Sequence, residues 1–228
     1  MSDTPRYPRR IRSFVRRPGR LTPAQQRALE ELLPRYEVGE GELRAAFDSA
    51  APLVVEIGFG NGDALAWMAA NEPDKHFIGI EVHEPGVGRA LRSLESGQLS
   101  NVRVSMRDAV EVLREQSGPG SIDEVRVFFP DPWPKKRHHK RRIFQADFAG
   151  LVADRLVPGG LLHLATDWAP YAEWMLEVLA DCELLVNQGD PFVERPDWRP
   201  LTHFERRGHR RGHQSFDILC RRKDDPPA

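Results

Sequence analysis

From residue 53 onward, short apolar runs alternate with amphipathic stretches, and this alternation constrains the fold more than any other feature of the chain. The run 53–57 (LVVEI) reads as a strand buried on both faces. A helix is predicted over 63–70, a strand over 76–81, a helix over 86–96 and a strand over 102–105. The pattern continues with a helix over 108–115, a strand over 124–129 and a helix over 143–156. A strand over 161–165, a helix over 168–180, a weak strand over 183–187 and a last strand over 215–221 complete it. Strands regularly separated by helices predict an α/β protein with a doubly wound, mostly parallel sheet and helices on both faces.

Upstream of this region the signals are local. Thr22, Pro23 and Gln25 form a capping box with proline in the first turn, so a helix starts there and is expected to end before Pro34. A second short helix is expected over 41–48. The expected organisation is a basic, flexible extension over 1–20, one domain over 21–222 and a disordered tail over 223–228.

The 33 Lys/Arg and 34 Asp/Glu nearly cancel, but they are not mixed. Residues 1–20, 135–142 and 206–213 together hold 17 basic residues and one acid, while the other 192 residues carry 16 basic and 33 acidic. Cations gathered into three segments of an otherwise acidic body point to a polyanion partner, with nucleic acid favoured over solvated loops. Two cysteines, Cys182 and Cys220, exclude a disulfide framework and fit a reducing cytoplasm. No run reaches the roughly 18–20 apolar residues of a membrane helix. The Arg-rich start lacks an apolar core for secretion, and Pro5, Pro8 and Pro18 interrupt any amphipathic transit helix.

Five acids fall at or near the carboxyl ends of successive predicted strands: Glu56, Glu81, Asp108, Asp131 and Asp167. Ligands bind at those ends in open α/β sheets. Gly58, Gly60 and Gly62 follow the first strand as G-x-G-x-G, not the G-x-G-x-x-G of dinucleotide binders, which favours an adenosyl ligand without a pyrophosphate. Glu81 is placed to accept both hydroxyls of a ribose. Asp108 either receives an adenine amino group or caps the helix that follows, or does both. S-adenosylmethionine, with an amine, a ribose diol, an adenine amino group and a sulfonium, suits such a set of acids.

The segment 128–136 (FFPDPWPKK) is the most distinctive. Three prolines in five residues fix the backbone around Asp131 and Trp133. Trp133 beside a carboxylate and two lysines suits a base on a phosphate chain, with packing into the core as the alternative. The segment 202–209 reads as a loop. His209 and His213 are four apart, but Gly208 and Gly212 break the helix a metal pair would need, so no metal site is expected.

Taken together, 55–62 (VEIGFGNG), 79–83 (GIEVH), 129–135 (FPDPWPK), 165–168 (ATDW) and 202–205 (THFE) resemble the bacterial tRNA (guanine-N7-)-methyltransferase family over about 11–221. The glycine motif is shared by many methyltransferases, whereas the Phe-Pro-Asp-Pro-Trp loop with its basic tail is far more restrictive. The resemblance implies a Rossmann-like class I methyltransferase fold, S-adenosylmethionine as donor and a guanosine of the tRNA variable loop as acceptor. It implies donor-binding roles for Glu56, Gly58, Gly60, Glu81, Asp108 and Asp131, with Asp131 also catalytic. Lys135, Asp167, Thr202, His203, Phe204 and Glu205 match substrate-binding positions. Arg137, His138, His139, Lys140, Arg141 and Arg142 match the RNA-contacting run. His203 stands where the family pattern has Lys or Arg. A cytoplasmic monomer acting on tRNA, with neither membrane nor metal, is the corresponding expectation.

The chemistry agrees. Guanine N7 carries a lone pair and no proton, so methylation needs positioning rather than a strong base. The ring turns cationic as the bond forms, and a carboxylate such as Asp131 favours that charge. Three rival readings are a tRNA-binding module with a vestigial cofactor fold, a nicotinamide-dependent oxidoreductase and a small-molecule methyltransferase. The full set of acids, the glycine spacing and the basic segments argue against each in turn.

Overall fold

The computed structural model describes residues 13–14, 20–202, 205–206, 208, 210, 212 and 214–224. The expectations for most of the 1–20 extension, for the end of the tail, and for His203, Phe204, His209 and His213 lie outside these residues.

Helix α1 (Pro23–Glu31) begins on the predicted capping box: Gln25 N–H donates to Thr22 Oγ1 at 3.3 Å and Thr22 N–H to Gln25 Oε1 at 2.9 Å. It ends at Glu31, before Pro34 as expected, and a further turn follows, α2 (Leu33–Tyr36), with Pro34 in the first turn, where a missing N–H leaves no bond unmade. The expected helix over 41–48 is a single 3₁₀ turn, Leu43–Ala46, pinned by the buried Leu43.

Strand β1 (Leu53–Ile57) is followed by α3 (Asp63–Asn71), β2 (His76–Ile80), α4 (Glu84–Ser96), β3 (Val102–Ser105) and α5 (Ala109–Glu115). Then come β4 (Ile122–Phe128), a 3₁₀ helix at Lys136–Arg141, α6 (Ala146–Arg155), β5 (Leu156–Thr166), α7 (Ala169–Ala180), β6 (Leu185–Asn187) and β7 (Phe216–Arg222). The strands form one sheet of order β3-β2-β1-β4-β5-β7-β6. Pairs among β1 to β5 are parallel, and β7 runs antiparallel to both β5 and β6.

Side chains of the parallel strands alternate between two apolar layers. Val54, Phe77, Val102 and Phe128 meet α3 and α4 residues such as Leu65 and Leu91 on one face. Val55, Ile78, Val125 and Leu162 meet Leu113, Phe148 and Met175 on the other. With both faces covered, these strands read as continuous apolar runs. Strand β5 starts five residues earlier than the sequence suggests. Its register against β4 shifts between Ile122 and Glu124, and Gly160 sits there with no room for a side chain: a Cβ would lie 2.7 Å from Val157 O. The Pro-Gly-Gly sequence is thus a bulge rather than a turn. No helix among the described residues is long and apolar enough to cross a membrane.

The chain leaves β1 toward β2 and β3, then returns to place β4 on the other side of β1. That reversal opens a crevice at the carboxyl ends of β1 and β4. Gly58 to Asn61 border it on one side and Phe128 and Phe129 on the other.

Candidate active site

The glycine turn is built for close approach by a ligand. Gly58, Gly60 and Gly62 all have positive φ, at 76°, 59° and 75°. Nothing lies within 4 Å of where a Cβ would project from Gly58 or Gly60, whereas at Gly62 it would meet Ala90 Cβ at 2.3 Å. The first two therefore face open space, and the third is a packing contact with α4. Gly58 N–H donates to Ile80 O at 2.8 Å, tying the turn to β2.

Glu81, directly after β2, holds this turn from the side. Its Oε2 accepts Gly60 N–H at 3.0 Å, and its Oε1 accepts Val82 and His83 N–H at 2.7 and 2.9 Å. Glu56 on β1 is 2% exposed, and its Oε2 has no hydrogen-bond partner. Burial pushes its carboxyl up to about 8, with Arg126 opposing and Glu81 reinforcing the shift. A buried acid with an open oxygen beside two unobstructed glycines fits the ammonium and adenosyl parts of S-adenosylmethionine. Asp108 caps α5, accepting Val110 N–H at 2.9 Å, so the capping alternative holds.

Opposite, the proline loop is held in an uncommon conformation: Phe129 and Trp133 have φ of 50° and 44°. Phe129 N–H donates to Ala165 O at 2.7 Å. Asp131 stands exposed just beyond. Trp133 is half-buried, with the Arg141 guanidinium 5.1 Å from its ring centroid and His138 edge-on at 5.8 Å. It packs against the basic segment instead of entering the main core.

The basic run forms the 3₁₀ helix Lys136–Arg141, which sequence reasoning missed. Lys135, Lys136, Arg137 and Lys140 are exposed, and His138, His139 and Arg141 are half-buried. Partial burial and the surrounding cations hold the His138 imidazole below the ordinary histidine range. Arg142 departs from the expected RNA-contacting role. It is buried, donates from Nε to Pro132 O at 2.9 Å, and lies 4.7 Å from the Tyr171 ring and 5.6 Å from that of Trp174. It anchors the proline loop from beneath. Asp167, at the end of β5, is half-buried.

Thr202 reaches back to this crevice. A cleft of about 90 Å³ is lined by Glu56, Gly58, Phe59, Gly60, Asn61, Asp63, Ala64, Phe128, Phe129 and Thr202. Residues 205, 206 and 208 are helical where a loop was expected. The cause is reciprocal capping: Glu205 N–H donates to Thr202 Oγ1 at 3.1 Å and Thr202 N–H to Glu205 Oε2 at 3.3 Å. Glu205 itself is 1% exposed, and both of its oxygens accept from Arg199, at 2.7 and 2.8 Å. Burial raises such a carboxyl, but the Arg199 bonds outweigh it and hold Glu205 below the usual range. Its side chain is thus turned into the protein, not toward the cleft. Arg199 gave no sequence signal, because its acidic partners lie six and eighteen residues downstream.

The chain matches a family model described as "Putative methyltransferase" over residues 50–218. It is 53% identical over 225 residues to the tRNA (guanine-N(7)-)-methyltransferase of Halorhodospira halophila, covering 96% of this chain and 97% of that protein. It is 54% identical over 219 residues to the enzyme of the same name from Aromatoleum aromaticum, covering 94% and 85%. Among solved structures, the 16S rRNA methyltransferase KamB superposes with a TM-score of 0.61 at 14% identity, covering 82% of this chain and 97% of that one, a likeness of fold. On the glycine turn, the acids at the strand ends and full-length identity above one half, this chain belongs to the tRNA (guanine-N7-)-methyltransferase family.

Proposed function

We propose that this chain transfers the methyl group of S-adenosylmethionine to N7 of the variable-loop guanosine of tRNA. The observation that carries the reading is the meeting of two unlike walls at one crevice. The β1–β3 wall offers Glu56, Glu81, Asp108 and two unobstructed glycines. The β4 wall offers Phe128 and Phe129, from which the proline loop with Asp131 runs on to a basic 3₁₀ helix.

When bound, S-adenosylmethionine supplies an electrophilic methyl group on a sulfonium. Glu56 holds the donor's ammonium, Glu81 its ribose diol and Asp108 its adenine edge, with Gly58 and Gly60 giving the close approach. Of the RNA-contacting run, Arg137, His138, His139, Lys140 and Arg141 meet the tRNA. Lys135, Asp167, Thr202, His203 and Phe204 bind the guanosine, and Glu205 supports Thr202 by reciprocal capping. Asp131 favours the positive charge that grows on the purine, and because N7 has no proton, it works without abstracting one. The chain acts as a cytoplasmic monomer without a metal.

Labelled methyl transfer to unmodified bulk tRNA, followed by nuclease digestion, tests this directly. The expected product nucleoside is 7-methylguanosine. Another methylated nucleoside would overturn the acceptor, and folded protein that binds tRNA without transfer would overturn the enzyme.

A further inference from the structure

Arg199 is fully buried in a loop that leads to Thr202. Pro196 O accepts its N–H at 3.0 Å, closing a turn over 196–199, and Arg195 Nη1 donates to its carbonyl at 2.5 Å. Its guanidinium makes four bonds. Two go to Glu205, at 2.7 and 2.8 Å, and two to Asp217 of β7, from Nε at 2.6 Å and from Nη2 at 2.7 Å. Asp217 also accepts from His163 of β5 at 2.8 Å. The guanidinium lies 5.8 and 5.5 Å from the ring centroids of Phe128 and Phe129, the residues that lead into Asp131.

One side chain thus joins three pieces of backbone: the Thr202–Glu205 turn, strand β7 and the end of β4. A lone buried cation between two carboxylates costs desolvation, which good geometry offsets without large net stabilisation. Such an arrangement is better suited to fixing relative position than to raising stability. Thr202 and Phe129 line the same cleft, and Arg199 stands behind them, not among the residues that line it.

We infer that Arg199 is a positioning residue, a latch that sets the Thr202 turn against the Phe129–Asp131 segment so that acceptor base and donor meet in line. This rests on the methyl-transfer reading above. Because a misplacement of about 1 Å in such a site lowers rate about a hundredfold, the latch acts on turnover more than on donor binding.

The test uses Arg199→Lys, which keeps the charge but loses the fork, and Asp217→Asn, which keeps the shape while weakening the same anchor from β7. For each, donor Kd is measured by calorimetry, kcat and KM with tRNA at saturating donor, and hydrogen exchange of the amides over 202–206. The expected result is a kcat lower by about tenfold to a hundredfold, KM and donor Kd changed by less than about threefold, and faster exchange confined to the turn. A folded variant whose kcat stays within about twofold of wild type overturns the latch, as does a donor Kd that rises in step with the loss of kcat. Should Arg199→Lys not fold, Asp217→Asn decides by the same criteria. Wild-type protein that protects 202–206 from exchange yet methylates no guanosine would instead sink the functional reading.

Discussion

Glu56 and Arg126 sit opposite each other in register on β1 and β4, yet they do not form an ion pair. Arg126 spends its guanidinium on Glu72 and Glu124, at 2.5 to 3.1 Å, and on Met68 Sδ. Glu56 is left with an open oxygen in a dry place, and its carboxyl is pushed up to about 8.

The first consequence concerns stability. Raised from 4.5 to about 8, the folded-state carboxyl holds its proton where the unfolded chain has lost it. Its contribution to stability is full below pH 4.5 and is lost as pH rises to about 8, with a slope of about 1.4 kcal/mol per pH unit as an upper bound. Denaturant unfolding of wild type and Glu56→Gln between about pH 5 and pH 8 checks this. The variant is expected to gain on wild type as pH rises.

The same proton links pH to the donor. An ammonium bound at Glu56 favours the carboxylate, so below about pH 8 donor binding releases up to one proton and tightens as pH rises. Calorimetry in buffers of different ionisation enthalpy measures that proton, and Glu56→Gln is expected to abolish its release.

Asp131→Asn is expected to lower the single-turnover rate by about a hundredfold while leaving tRNA affinity nearly unchanged, as removal of one electrostatic stabiliser does elsewhere. Near-normal turnover in this variant would remove Asp131 from its role.

The two ends of the glycine turn respond differently to the same substitution. Gly62→Ala drives a Cβ to 2.3 Å from Ala90 in a left-handed backbone, and a loss of about 3 kcal/mol or more in thermal or denaturant unfolding is expected. Gly58→Ala meets no protein atom, so it costs about 1–2 kcal/mol of backbone strain and mainly weakens donor affinity.

Neighbouring arginines of the basic run separate in the same way. Arg137→Ala is expected to lower tRNA affinity and reduce the slope of log K against log salt by somewhat under one. Arg142→Ala is expected to lower stability by about 1–3 kcal/mol, because it removes the Pro132 anchor and its aromatic contacts. Filter binding over a salt series and melting curves separate the two.

What the sequence disclosed follows the same physics. Strands β1 to β4 were legible because burial on both faces leaves continuous apolar runs, and the glycine turn because glycine adopts its left-handed backbone without strain. The acids Glu56, Glu81 and Asp108 were found by counting along those strands. The 3₁₀ helix at Lys136–Arg141 left no pattern, since it buries no residue fully. Strand β5 was legible only from 161, after its bulge, because a Pro-Gly-Gly run more often breaks an element than lies within one. Arg142 and Arg199 were illegible for a deeper reason: nothing in local sequence separates a buried arginine from an exposed one when its partners come from other elements.

The insertion of β7 between β5 and β6 has a consequence for the loop that carries Arg199. Arg199 ties its loop to Asp217 of β7, and the same loop rests on Asp63, Ala64 and Trp67 of α3 and reaches the cleft at Thr202. The loop is thus moored to the antiparallel edge at one end and laid against the first helix after the glycine turn at the other. Any displacement of β7 is thereby passed to the cleft through Arg199 and Thr202.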